Sequence, residues 1–143
     1  MKAAAGPIDE LRDALLELHK ALLDAQRIRY ERDHGRIESS GRFLDLVVRH
    51  PTFAWLRSLS ALIASIDEWV EAGGEAREED LDAMFDTLRS LIEAEGRSTA
   101  FGEPYWKILD DVPEALVAHV RLWRLLERAR RVDPKRPGAP PRV

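Results

Sequence analysis

The sequence predicts an all-α protein, and more narrowly a four-helix bundle, from three observations. Apolar residues recur every three or four positions over four long stretches, which is the period of an amphipathic helix. Strand-like alternation of apolar and polar residues is nowhere sustained. Proline and glycine fall mostly between the periodic stretches, where they begin or end helices. The long helices are predicted at about residues 8–34, 52–72, 77–95 and 112–131, with short helices at about 41–49 and 103–109.

The first predicted helix has start and stop signals as well as an apolar stripe. Pro7 suits a first helical turn, Asp9 and Glu10 place negative charge there, and Gly35 follows the last turn. The short helix at 41–49 stops before Pro51, because a residue that precedes proline avoids the helical conformation. The stripe of the first helix consists of Ile8, Leu11, Leu15, Leu18, Leu22 and Ala25.

The stretch from Arg49 to Val70 is the most apolar and most aromatic in the chain. Pro51 opens it, and the pair Gly73–Gly74 closes it. Apolar side chains cover more than half of this helix, so we expect it to be the central helix of the bundle. Its stripe consists of Trp55, Leu59, Leu62, Ile63, Ile66 and Val70.

The remaining helices complete a single predicted domain, residues 1–132. The helix at 77–95 ends before Gly96, and the short helix at 103–109 has Pro104 in its first turn. Residues 133–143 contain four prolines and no periodicity, so we predict a basic, disordered tail. The stripe of the helix at 77–95 is Leu81, Met84, Phe85, Leu88, Leu91 and Ile92. The last helix is expected to bury Val112, Leu116, Val120, Trp123 and Leu126.

The composition restricts the classes of function. The 143 residues are 45% hydrophobic and 34% charged, as in an ordinary globular domain. The absence of cysteine excludes disulfides, thiolate catalysis and Cys-ligated metal centres. The first residues lack the apolar core of a secretory signal, and no uncharged apolar window is long enough for a bilayer. We therefore expect a soluble, cytoplasmic protein without a membrane partner.

The net charge of −4 is unevenly distributed. Residues 121–143 carry eight Lys and Arg against two acidic residues, while the rest of the chain is acidic. A basic tail can bind nucleic acid, but several of these cations fall in the last turns of a helix, where they complement its dipole. Because no nucleic-acid-binding motif accompanies the cations, we do not favour a nucleic-acid partner.

A column of polar residues on the buried face of the first helix is the main candidate for a ligand site. His19 lies in the middle of the leucine stripe, and Gln26, Tyr30 and Asp33 follow on the same face. His119 takes a similar position on the last helix. Two facing histidines could bind haem, or could join Asp33 or Glu31 around a metal ion. The alternative is that each histidine makes one internal hydrogen bond and fixes helix packing.

The run Tyr30-Glu31-Arg32-Asp33-His34-Gly35-Arg36 is dense in groups that bind or catalyse and lies at a helix end. Glu31 and His34 have the spacing of a di-iron carboxylate motif, but no second Glu-x-x-His follows, so a di-iron centre is not expected. His50 precedes a proline and is interpreted as a helix cap. No nucleophile elbow and no phosphate-binding glycine loop is present, so no catalytic residue is assigned.

Aromatic residues suggest an interaction surface. Exposed aromatic side chains often anchor interfaces, and a helix apolar around more than half its circumference can require a partner subunit. We therefore predict a homodimer or a protein partner. The candidate interface residues are Trp55, Trp69, Phe101, Tyr105 and Trp106.

The function favoured by the sequence is a small, self-associating helical binding module without a cofactor. No catalytic motif is present, so an enzyme with an unrecognised mechanism is the least favoured interpretation. The alternative is a bundle that holds haem, a metal ion or a small molecule in a polar core lined by His19, Tyr30, Asp33 and His119. In the strings Tyr30–Arg36 and Phe53–Arg57 the chain resembles small all-helical bacterial proteins in general, without the motif of a particular family.

Overall fold

The computed structural model describes residues 7–72, 78–93 and 96–132. The all-α prediction is confirmed, because these ranges contain helices and no strand. The predicted ends of two helices at Gly73–Gly74 and at 94–95, and the predicted tail at 133–143, lie outside the described residues. The elements are α1 (Pro7–His34), α2 (Ser40–Arg49), a 3-10 helix (Pro51–Leu56), α3 (Arg57–Glu71), α4 (Glu78–Ile92), α5 (Gly102–Asp111) and α6 (Pro113–Val132).

Helix α1 has the most extensive contacts of the described helices. It contacts α3, α5, α6 and the 3-10 helix, and it runs antiparallel to α6, with Glu10 paired to Arg128 at 3.2 Å and Glu17 paired to Arg121. The prediction that the stretch after Pro51 forms the central helix is wrong. That stretch exposes Arg57, Ser58, Ala61, Ala64 and Glu68, so only one side of it is buried.

The predicted helix at 52–72 consists of two parts. Its first six residues form the 3-10 helix, and the α-helix begins at Arg57. The His50 side chain caps the 3-10 helix, since its Nδ1 accepts the backbone N–H of Thr52 at 3.1 Å. Three residues per turn place Phe53 and Leu56 on the same side, and both are buried. The 3-10 winding therefore turns two large side chains into the core within one short segment.

The narrower prediction of a four-helix bundle is not confirmed. Helix α5 is a full member of the core, because it packs against α1, α4 and α6 and buries Tyr105, Ile108 and Leu109. The described residues therefore build one core from six α-helices and the 3-10 helix.

The turn before α5 requires glycine. A Cβ atom added to Gly102 would lie 1.8 Å from the carbonyl oxygen of Gly96. In the same turn Thr99 Oγ1 donates to that oxygen at 2.7 Å and accepts the N–H of Gly102 at 2.8 Å. These contacts fix the direction in which α5 begins and so the positions of Phe101 and Tyr105.

None of the helices in the described ranges combines the length and the apolar character that crossing a membrane requires.

The role of α1 can be tested with two leucines on the same helix. Leu18 is 0% exposed and Leu16 is 42% exposed. Leu18→Ala should lower the free energy of unfolding by roughly 2–5 kcal/mol, because it leaves a cavity in the core. Leu16→Ala makes the same chemical change at the surface and should cost less than about 1 kcal/mol. Urea denaturation followed by circular dichroism measures both losses. Equal losses would contradict the assignment of the Leu18 side of α1 to the core.

Candidate functional site

A row of aromatic rings crosses the middle of the molecule. Trp55 of the 3-10 helix contacts Phe101 with ring centroids 5.3 Å apart, and Phe101 contacts Tyr105 of α5 at 5.1 Å. Tyr105 in turn contacts His119 of α6 at 5.6 Å, and His119 stacks on Trp123 at 6.2 Å. We call these five residues the aromatic row. It joins the 3-10 helix to α5 and α6, which lie about fifty residues later in the sequence.

A buried hydrogen bond lies at the centre of the aromatic row. The hydroxyl of Tyr105 and Nδ1 of His119 are 2.6 Å apart. Burial lowers the pKa of His119 and raises the pKa of Tyr105, so both groups are held in their neutral forms. With both neutral, the Tyr105 hydroxyl can donate to a Nδ1 that accepts, and the His119 proton then resides on Nε2.

One arginine covers Trp123 at the end of the aromatic row, and another covers Trp106, which lies beside the row. The guanidinium of Arg89 lies 5.0 Å from the ring centre of Trp123, and that of Arg97 lies 4.5 Å from the ring centre of Trp106. Arg89 also pairs with Glu127 at 2.8 Å. The Nε1 atom of Trp106 is buried and has no hydrogen-bond partner among the described residues.

His19 makes its internal contact with a different helix. Its Nε2 atom lies 2.9 Å from Oγ of Ser60 on α3. The Ser60 hydroxyl donates to the carbonyl of Leu56 at 3.2 Å, so it accepts from His19, and the His19 proton resides on Nε2. Burial lowers the pKa of His19 and favours this neutral form. His19 thus joins α1 to α3, whereas His119 joins α6 to α5.

Gln26 also serves as a connection between elements. It is buried, and its Oε1 accepts the indole N–H of Trp55 at 2.9 Å. This bond holds one end of the aromatic row against α1. The predicted polar column is therefore divided, since His19 bonds to α3 and Gln26 bonds to the 3-10 helix.

The end of α1 forms a second cluster, which we call the histidine corner and which consists of Tyr30, His34 and His50. Tyr30 stacks on His34 with ring centroids 4.4 Å apart and meets the His50 ring edge-on at 5.2 Å. The two imidazoles are 5.7 Å apart. Sequence spacing gave no sign of the contact between His34 and His50, because it depends on the path of the chain after Gly35, whose φ is 86°.

The hydrogen bond of His50 does not favour metal binding by this side chain. Nδ1 of His50 accepts the N–H of Thr52, so a neutral His50 carries its proton on Nε2 and has no free lone pair. Glu31 accepts the backbone N–H of Ile37 at 2.8 Å, while the exposed Asp33 lines a surface cleft with residues of α5. Within the described ranges, no three His, Asp or Glu side chains are grouped as metal ligands.

The structure divides the predicted interface residues between core and surface. Phe101 is 5% exposed and Tyr105 is 0% exposed, so both belong to the core. Trp55, Trp69 and Trp106 are half-buried.

The outer side of α6 carries three exposed aliphatic side chains, two of which were predicted to be buried. Leu116, Val117 and Val120 are 44%, 64% and 37% exposed and line an open groove. The prediction that Leu116 and Val120 are buried is wrong. The buried side of α6 consists instead of Ala115, Ala118, His119, Leu122 and Leu126. The two alanines allow α6 to approach its neighbours closely, and this turns the larger aliphatic residues outward.

No family model, curated protein or solved structure matches this chain.

The half-buried His19 and the buried His119 should make stability depend on pH. Their pKa values are lowered in the folded protein, so the unfolded chain binds more protons between the lowered value and the ordinary value of about 6.5. Their contribution to stability is complete above that range and is lost as the pH falls through it. The slope per histidine is at most about 1.4 kcal/mol per pH unit.

Urea denaturation between pH 8 and pH 5 tests this expectation. His119→Gln and His19→Gln should each reduce the loss of stability on acidification, and the double variant should reduce it further. If neither variant changes the slope, the two imidazoles are not the groups responsible.

Proposed function

We propose that this chain is a helical protein-binding module and that its binding surface is the outer side of α6. The supporting observation is the group of three adjacent exposed aliphatic residues, Leu116, Val117 and Val120. We call these residues, together with Arg121 and Arg124, the α6 face. An exposed aliphatic group with a charged rim is typical of surfaces that bind another protein.

The distribution of polar groups also favours this function over catalysis. His19, Gln26 and His119 each make an internal hydrogen bond that joins two elements of the fold. Groups engaged in this way stabilise the packing of helices and are poorly placed to act on a substrate. The α6 face, by contrast, has apolar side chains in solvent, and covering them would lower the free energy.

Site-specific photocrosslinking tests the α6 face. Val117 is replaced by benzoylphenylalanine, and Ala64, exposed on α3, is replaced as the matched control. Irradiation of the purified protein, and of an extract of its source organism, should give one defined adduct at position 117 and none at position 64. A captured protein is identified by mass spectrometry, purified and shown to bind the wild-type chain but not Val117→Glu. Equal or scattered labelling at both positions would contradict the proposal.

A bound haem, metal ion or small molecule in the polar core is the second candidate function. One observation favours it, namely that the indole N–H of Trp106 has no hydrogen-bond partner in the part of the chain that the structure describes, while its ring lies 5.1 Å from that of His119. A ligand that accepted this N–H would remove the cost of leaving a buried donor unpaired.

Absorption spectra from 250 to 700 nm, recorded before and after addition of haemin, distinguish the two candidates. The α6-face proposal predicts no Soret shift that depends on His19 or His119. A stoichiometric Soret band that is lost in His119→Leu and kept in His34→Leu, a change at an exposed histidine, would instead favour the polar core.

A further inference from the structure

The aliphatic residues of the α6 face lie between two opposite charges. Glu114 lies in the first turn of α6, the aliphatic residues follow, and Arg124 lies beyond them. Both charged residues are exposed, and neither side chain has an ion-pair or hydrogen-bond partner among the described residues. The neighbouring Arg121 and Arg128 differ, because they are paired with Glu17 and Glu10 of α1.

We infer that the partner of the α6 face is a second copy of this chain, with the two α6 helices packed antiparallel about a two-fold axis. This inference rests on the function proposed above and specifies the partner. Glu114 and Arg124 are ten residues apart, or about 15 Å along the helix. Their midpoint is residue 119, and Val117 and Val120 lie on either side of it.

The antiparallel arrangement follows from this charge order. About a two-fold axis near residue 119, Val117 and Val120 of one copy meet the same residues of the other. Glu114 then lies beside the second copy's Arg124, and the reciprocal pair forms on the opposite side. A parallel arrangement would bring glutamate to glutamate and arginine to arginine, and like charges would oppose it. The face is therefore complementary to itself in one orientation.

The ion pairs within each copy are compatible with this arrangement. Arg121 and Arg128 remain paired with α1, so the second copy does not have to break existing contacts. A stable interface covers about 800 Å² on each partner, whereas the α6 face offers three partly exposed aliphatic side chains. We therefore expect a dimer that forms as the concentration rises, and not a permanent one.

Sedimentation equilibrium of the full chain, over concentrations from about 1 to 500 µM at low salt, tests the arrangement. Wild type should shift from monomer to dimer as the concentration rises. Val117→Glu should abolish the dimer, because it places a charge in the centre of the contact. Glu114→Arg and Arg124→Glu should each raise the dissociation constant by roughly tenfold, since each converts two attractive pairs into repulsive ones.

The combined variant Glu114→Arg/Arg124→Glu provides the decisive comparison. It restores opposite charges across the interface, so its dissociation constant should return to within about threefold of wild type. Leu44→Glu is the matched control, because Leu44 is also an exposed aliphatic residue but lies on α2. It should leave the dimer unchanged. The four substituted positions, Leu44, Glu114, Val117 and Arg124, are exposed, so each variant should fold. Circular dichroism of each variant serves as the check.

Each outcome bears on a different statement. A wild-type chain that stays monomeric throughout overturns the second copy as partner. The α6 face then stands only if photocrosslinking at position 117 identifies another protein. A dissociation constant that is unchanged in the α6 variants, or a dimer that is lost in Leu44→Glu, also overturns the inference. A dimer weakened by both single reversals but not restored by the combined variant excludes the antiparallel arrangement.

Discussion

The pairing of α1 with α6 is the interaction on which the rest of the structure depends. Helix α1 has its most extensive contact there, and buried alanines on both helices, including Ala14 and Ala118, permit close approach. This pairing fixes the rotation of α6 about its axis. This rotation points His119 toward Tyr105 and leaves Val117 in solvent. The aromatic row and the α6 face therefore both result from the packing of α6 against α1.

The sequence predicted best the helices in which the large apolar residues are also the buried residues. The stripe of α1 is an example, because Leu11, Leu15, Leu18 and Leu22 are all buried as expected. The start of α1 at Pro7 and its end before Gly35 also agree with the predicted range to within one residue. Strong periodicity bounded by proline and glycine was sufficient for this helix.

The prediction failed where small residues make the contact. On α6 the largest aliphatic residues suggested the buried side, but Ala115 and Ala118 occupy it. Alanine carries little apolar surface, so it contributes little to a hydrophobic stripe. It stabilises packing by allowing two helices to approach closely, and whether they do depends on the neighbouring helix. The same limit applies to the candidate site. The contacts of His119 with Tyr105 and of His34 with His50 depend on turns whose geometry periodicity does not specify.

The antiparallel pair of α1 and α6 also has a consequence for biosynthesis. Helix α6 begins at Pro113, so α1 emerges from the ribosome long before its principal partner exists. Until α6 is made, part of the leucine stripe of α1 stays exposed to solvent. Aggregation or capture by chaperones is favoured during this period. Helix α1 therefore gains its most extensive packing partner only after α6 has been synthesised.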